Sequence, residues 1–342
     1  MSPNDIVVWC GFILAAYSVV GNDVIQTLGT FLSSNEKSIS WYILFLYAGG
    51  ILTAILIIGY TGLGTTFGLG GDDISFGRLE NIQRPELLNW FYLLPPLVLM
   101  LITRLGIPVS TTFLILTFFS PSSLDDMIQK SVMGYVVAFI FSMIAYYMIT
   151  NFAEKKFINS SVYSTNNKDS LWTNRTFWTV IQWFSTGFLW SQWLTQDLAN
   201  IYIYLGKDKL STVQFLVSLF IILVMLGYIF YAKGGKIQEI VKRKYNTADI
   251  RSATFIDLFY GLILLIFKQN VFGLWVAKLP MSTTWVFIGL LAGREIMMAW
   301  KLDGILEKKE IYAVIQDLVK VIAGLIISIL LVYIMKFFTA GI

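Results

Sequence analysis

The chain has no histidine and a single cysteine, Cys10, in 342 residues. The missing imidazole excludes histidine-ligated zinc, a Ser-His-Asp triad and a histidine pH switch. One thiol excludes an intrachain disulfide and any cysteine-based metal centre. Charge is scarce as well. Asp, Glu, Lys and Arg make up 13% of the residues, where a soluble domain carries about 25%. The first residues lack a basic stretch and a small-residue cleavage site, so no removable signal peptide is expected.

What is present is apolar: 56% hydrophobic residues, 16% of the chain aromatic. Runs of near 20 apolar residues recur at 41–60, 131–150, 211–231 and 312–337. Each can cross a bilayer core of about 30 Å. The expectation is an all-α integral membrane protein, with spans at about 6–32, 41–60, 131–150, 176–205, 211–231 and 312–337. Two pairs of shorter pieces remain. The pieces 87–103 and 109–119 meet at Gly106-Ile107-Pro108, and 253–270 and 281–300 meet at Lys278-Leu279-Pro280. Short apolar pieces broken by proline read as re-entrant hairpins, 87–119 and 253–300. Each half is then three transmembrane helices plus one hairpin: repeat 1 over 1–150 and repeat 2 over 176–342. An odd number of spans inserts the second repeat upside down. The polar segment 151–175 joins them as a linker. The Gly-rich stretch 59–71 has no Gly-Lys-Ser/Thr ending and reads as an external loop rather than a nucleotide phosphate cradle.

This layout gathers fourteen Lys and Arg on one side, at Lys37 and in the loops around 155–175, 233–251 and 301–309. The other side holds five: Arg78, Arg84, Lys130, Lys207 and Lys209. The positive-inside rule makes the first side, with its linker, cytoplasmic and turns both termini outward, as in a cell (inner) membrane protein.

The chemistry-bearing residues come in duplicate. Gly21-Asn22-Asp23-Val24 is followed by Pro108-Val109-Ser110-Thr111-Thr112, and Thr195-Gln196-Asp197-Leu198 by Pro280-Met281-Ser282-Thr283-Thr284. The Asp-to-Ser spacing is 87 residues in the first half and 85 in the second. A helix that starts at proline leaves its first N–H groups free and behaves as about half a positive charge. Two such tips aimed at each other, with hydroxyls of Ser110, Thr111, Thr112, Ser282, Thr283 and Thr284, suit a small tetrahedral oxyanion. An ionised Asp at the centre of a membrane helix costs about 2.5–3.5 kcal/mol on insertion scales. No Lys or Arg lies within four residues of Asp23 or Asp197, so a bound cation or proton is the expected compensation. Asn22, Gln26 and Thr27 in one half, and Gln196 and Asn200 in the other, supply further oxygens for a hard ion such as Na⁺. Gly21 loosens the first helix and frees carbonyls. Lys278 reads as snorkelling to the interface rather than binding the anion.

These four places resemble the signatures of the inorganic phosphate transporter (PiT) family of permeases, whose members carry Gly-Ala-Asn-Asp-Val-type and Pro-x-Ser-Thr-Thr-His-type motifs once per repeat. The first signature here continues to Gly29-Thr30. The second, Gln196-Asp197-Leu198-Ala199-Asn200, is looser, and Ile203-Tyr204 replace the Gly-Thr pair. Phe113 and Trp285 stand where the family has histidine, and Gln26 and Gln196 stand in place of asparagine. The resemblance spans about residues 8–335. It implies an inverted-repeat symporter, a homodimer, that moves phosphate with Na⁺ or H⁺, with anion contacts at the Ser/Thr tips and cation contacts at the Asp positions. Some relatives carry sulfate, which is the runner-up substrate.

The reading is therefore a secondary active transporter of inorganic phosphate, coupled to Na⁺ in preference to H⁺, with no cofactor and no nucleic-acid partner. An anion channel is the alternative of another class, but buried Asp pairs would repel its anion. An intramembrane enzyme with Ser110 or Ser282 as nucleophile has no evident base.

Overall fold

Ser2 starts the first helix by accepting a hydrogen bond from the Asp5 N–H, while Asp5 reaches back to the Ser2 N–H (3.2 and 2.7 Å). Pro3 fills the first helical position, where a missing N–H costs nothing. In the computed structural model, residues 2–104, 109–149, 174–206, 210–234, 250–269, 273, 280–302 and 308–339 are described. Their regular elements are all helical.

The first half contains α1 (Pro3–Val19), a π-helical turn (Val20–Val24), α2 (Ile25–Asn35), α3 (Trp41–Thr61), α4 (Leu94–Arg104), a second π-helical turn (Thr112–Leu116), α5 (Thr117–Phe119) and α6 (Leu124–Ile149). The second half contains α7 (Arg175–Asp197), α8 (Ala199–Tyr202), α9 (Thr212–Tyr231), α10 (Ile250–Gln269), α11 (Thr283–Leu302) and α12 (Lys308–Thr339). The order is the same in both: an interrupted helix, a long helix, a helical pair and a closing long helix. Each interruption falls at a duplicated acid. Gly21 and Asp23 sit inside the π turn, and α7 ends at Asp197.

Among the described residues, six helical stretches are long and apolar enough to cross a membrane: Pro3–Asn35, Trp41–Thr61, Pro121–Ile149, Thr212–Tyr231, Ile250–Gln269 and Ile311–Ile334. Large apolar side chains such as Leu46, Phe184, Phe220 and Tyr333 stay exposed on the bundle, as a lipid-facing surface requires. This is an integral, multi-pass membrane protein.

Two expectations change. The span expected at 176–205 is an interrupted helix outside those six. Its inward face carries the buried Gln182, Ser185, Thr186, Gln192, Thr195, Gln196 and Asp197, so its polarity serves the interior. The piece expected at 253–270 as a short hairpin arm is α10, with 20 residues, and its partner α11 also has 20. The first of them is among the six stretches above. Residues 151–173 of the expected linker, Pro108 and Lys278 lie outside the described residues.

Packing is closest where side chains are smallest. α11 lies on α6, with Gly289 against the Tyr135 backbone and Gly293 against the Phe139 backbone. A Cβ at Gly289 would sit 2.4 Å from the Tyr135 carbonyl oxygen. This four-residue spacing lets two membrane helices touch backbone to backbone. α10 packs along α7 and α9 along α3. Together these contacts bring the two interruptions and the two Ser-Thr-Thr turns into one interior.

Candidate functional site

Asp23 and Asp197 are 2% and 1% exposed and lie within electrostatic reach of each other. Each is held by the middle threonine of its own half. The Thr111 hydroxyl donates to Asp23 Oδ2 at 2.5 Å, and the Thr283 hydroxyl to Asp197 Oδ2 at 2.5 Å. The third threonines cross between the halves. Thr112 donates to Asp197 Oδ1 at 3.4 Å and lies equally close to the Met281 carbonyl, while Thr284 is a hydrogen-bond partner of Asp23. The two Ser-Thr-Thr turns therefore meet. Four threonine hydroxyls and two carboxylates form one buried cluster with a pseudo-twofold pattern.

The serines do something else. Ser110 Oγ accepts from the Phe113 N–H and Ser282 Oγ from the Trp285 N–H, at 3.2 and 3.3 Å. Each caps its own helix, a geometry that satisfies an otherwise open first-turn amide. Of the six hydroxyls expected to face an anion, four point into the cluster and two hold the helix starts in shape. Trp285 and Phe113, at the positions after the threonines, pack edge to face with centroids 6.2 Å apart.

The carboxamides complete it. Asn22 Nδ2 donates to Asp23 Oδ1 (2.7 Å) and to the Val109 carbonyl (2.8 Å), tying the interrupted helix to the first turn. Gln26 Nε2 donates to Asn22 Oδ1 at 3.1 Å, and Thr27 returns its hydroxyl to the Asp23 carbonyl at 2.9 Å. In the other half, Asn200 Nδ2 points at Thr111, Thr112 and Asp197 (2.9, 3.3 and 3.0 Å). Gln196 Nε2 donates to the Leu264 carbonyl at 3.1 Å. The Gln196 Oε1 and Asn200 Oδ1 atoms are buried with no hydrogen-bond donor among the described residues. Buried acceptors are nearly always satisfied, so the open oxygen of Asn200, whose amide donates to Asp197, fits a cation. The donor set is all oxygen, which fits a hard ion. The structure thus gathers Asn22, Asp23, Thr111, Thr112, Asp197, Asn200, Thr283 and Thr284, with Gln26 one turn further out on Asn22, Ser110 and Ser282 capping their helices, and Gln196 turned to the Leu264 carbonyl.

Several polar residues near the site were not singled out in the sequence. Asp257 on α10 is fully buried and accepts from Thr30 and Thr186, both at 2.5 Å. Its signal was an acid inside an apolar helix. Arg78 and Lys130, expected in outer loops, are buried at 3% and 2% exposure, Lys130 within α6. Lys268 near the end of α10 is 6% exposed and donates to Gln192 Oε1 at 2.5 Å. Arg84 clamps the end of the second interruption by donating to the Ile203 and Tyr204 carbonyls, both at 2.9 Å.

No family model matches the chain, and no curated protein matches it in sequence. Among solved structures, it aligns with a protein described as the sodium-dependent phosphate transporter, with a TM-score of 0.57 and 15% identity. The alignment covers 98% of this chain and 100% of that one. The likeness at this identity is one of fold, over the whole length.

Proposed function

We propose that the protein is a secondary active transporter that carries inorganic phosphate together with a cation, Na⁺ in preference to H⁺. The observation that carries this reading is the Asp23–Asp197 cluster. Two buried carboxylates share four threonine hydroxyls from two helix starts, beside the open carboxamide oxygen of Asn200. The fold neighbour, a sodium-dependent phosphate transporter, supports the same reading.

In this reading the two halves are inverted repeats, and the helical pairs 87–119 and 253–300 are hairpins whose tips build the anion site. The hydroxyls explain the coupling. Each of Thr111 and Thr283 has one hydrogen, and without a cation that hydrogen is committed to a carboxylate. A cation on Asp23 or Asp197 takes over the carboxylate charge and frees the hydroxyl hydrogen for the anion. Cation and anion then bind mutually more tightly, and the linkage is reciprocal. Asn22, Gln196 and Asn200 serve the cation, and the first-turn N–H groups of both tips serve the anion. Ser110 and Ser282 hold those turns, and Gln26 positions Asn22. The substrate alternative is sulfate, which carries no proton at neutral pH. Phosphate gains a carboxylate acceptor for its proton whenever one Asp is not fully engaged by cation.

Uptake of labelled orthophosphate into proteoliposomes tests the reading, with labelled sulfate in a parallel arm. The expected result is phosphate concentrated inward under a Na⁺ gradient and not without one. Equal fluxes of both anions that merely equilibrate would favour a channel.

A further inference from the structure

A buried phenol joins the two halves beside the Asp23–Asp197 cluster. Tyr260 on α10 is 1% exposed, and its hydroxyl donates to the Thr283 carbonyl at 3.0 Å. Thr283 belongs to the second Ser-Thr-Thr turn, and its own hydroxyl is on Asp197. On its other side the Tyr260 hydroxyl is within hydrogen-bonding reach of the Thr27 side chain on α2. Thr27 in turn donates to the Asp23 carbonyl at 2.9 Å. The phenol oxygen therefore stands between the interruption of the first half and the Ser-Thr-Thr turn of the second.

The rest of α10 holds it there. Asp257 lies three residues earlier, on the same helix face. It takes the Thr30 hydroxyl of α2 and the Thr186 hydroxyl of α7, both at 2.5 Å. Gly261 lets α10 press on α7, since a Cβ there would sit 2.7 Å from the Phe188 ring. The Tyr260 ring lies against Phe287, one turn beyond Thr283, with centroids 5.4 Å apart. The bridge has no twin. Twenty-two residues before its serine the second half has Tyr260, while the first half has Leu88, which carries no hydroxyl.

A hydroxyl has one hydrogen to give and two lone pairs to receive with. Tyr260 gives its hydrogen to Thr283 and has lone pairs open toward Thr27. Thr27 also has one hydrogen, held by the Asp23 carbonyl. A cation on Asp23 draws on the oxygens of the π turn, that carbonyl included, and releases the Thr27 hydrogen to Tyr260. Chained hydrogen bonds polarise one another. The phenol then grips the Thr283 carbonyl more firmly and fixes the turn whose N–H groups meet the anion. We propose that Tyr260 is a positioning residue that carries cation binding at Asp23 across to the second Ser-Thr-Thr turn. This role rests on the transport reading above, since it needs a cation and an anion at one centre.

Equilibrium binding of labelled orthophosphate to the purified full chain in detergent, without Na⁺ and in saturating Na⁺, tests it. The readout is the ratio of the two affinities, the linkage factor between cation and anion. Tyr260→Phe keeps the ring and removes the bridge. Its linkage factor should fall by about fivefold or more, while affinity without Na⁺ changes by about threefold at most. Tyr204→Phe is the control. It removes another buried phenol's bond to a backbone carbonyl, that of Tyr92 at 2.8 Å, and should lower the melting temperature without moving the factor. A wild-type factor in Tyr260→Phe overturns the role, even where the melting temperature falls, because the phenol then only holds the fold. Should Tyr260→Phe not fold, Thr27→Val decides. A linkage factor lost there, with Na⁺ affinity in the absence of phosphate retained, supports the relay, and any other result overturns it. A wild type without linkage removes the transport reading and this role with it. Linkage present in the wild type and intact in Tyr260→Phe removes the role alone.

Discussion

At the scale of single residues, the duplicated turns divide their labour between neighbouring hydroxyls. Ser110 and Ser282 cap helices, while Thr111 and Thr283 hold carboxylates. Thr111→Ala or Thr283→Ala should weaken phosphate affinity by about 10- to 100-fold, the worth of one charge-assisted hydrogen bond at about 1.5–3 kcal/mol. Ser110→Ala should instead lower the melting temperature, by an amount equivalent to the loss of about 1 kcal/mol of capping, with a smaller change in affinity. Isothermal binding and thermal melts on the same variants separate the two effects. The duplication and the residue types were legible in the sequence, because an acid in an apolar run and a Pro-x-Ser-Thr-Thr turn both break the local rule. The split between serine and threonine was not, because it depends on which side chain the helix start turns inward. Asp257 makes the same point from the other direction. Asp257→Ala strands two buried hydroxyls, Thr30 and Thr186, at about 1–3 kcal/mol each. Asp257→Asn keeps an acceptor and a donor, so it should melt much closer to the wild type than the alanine variant does.

At the scale of elements, the contacts that hold the site are backbone approaches and clamps. α11 rests on α6 through Gly289 and Gly293. Gly289→Val should push the helices apart and reduce the yield of monodisperse protein, while Gly50→Val, where no neighbour lies within 4 Å of a new Cβ, should be tolerated. Size-exclusion profiles of the two variants check this. Helix existence was legible from apolar runs, since five of the six expected spans coincide with helices that meet the length and hydropathy needed to cross a membrane. The sixth, 176–205, lies outside that set because an inward polar face and an interruption at Asp197 lower its hydropathy while it remains in the bundle.

At the scale of the whole molecule, the fold gathers polarity into one interior and leaves apolar surface outside, the reverse of a soluble protein. Arg78 and Lys130 were counted as loop charges on the sparsely charged side, yet both are buried. Removing them from that surface strengthens the asymmetry on which the proposed cytoplasmic placement of 155–175 and 233–251 rests. With Cys10 replaced by Ser the chain has no other thiol. A single cysteine introduced in place of Ser164 should then react with an impermeant maleimide only in inverted vesicles, and one in place of Ser2 only in right-side-out vesicles; the opposite pattern reverses the topology. The central claim is that Asp23 and Asp197 convert a cation gradient into anion accumulation. Its most direct measurement is Na⁺-driven uptake of labelled orthophosphate into proteoliposomes by the wild type, Asp23→Asn and Asp197→Asn, each first shown to melt normally. The account predicts concentrative uptake by the wild type and a fall of about a hundredfold, about 3 kcal/mol, in each variant. Wild-type accumulation in both variants would contradict it.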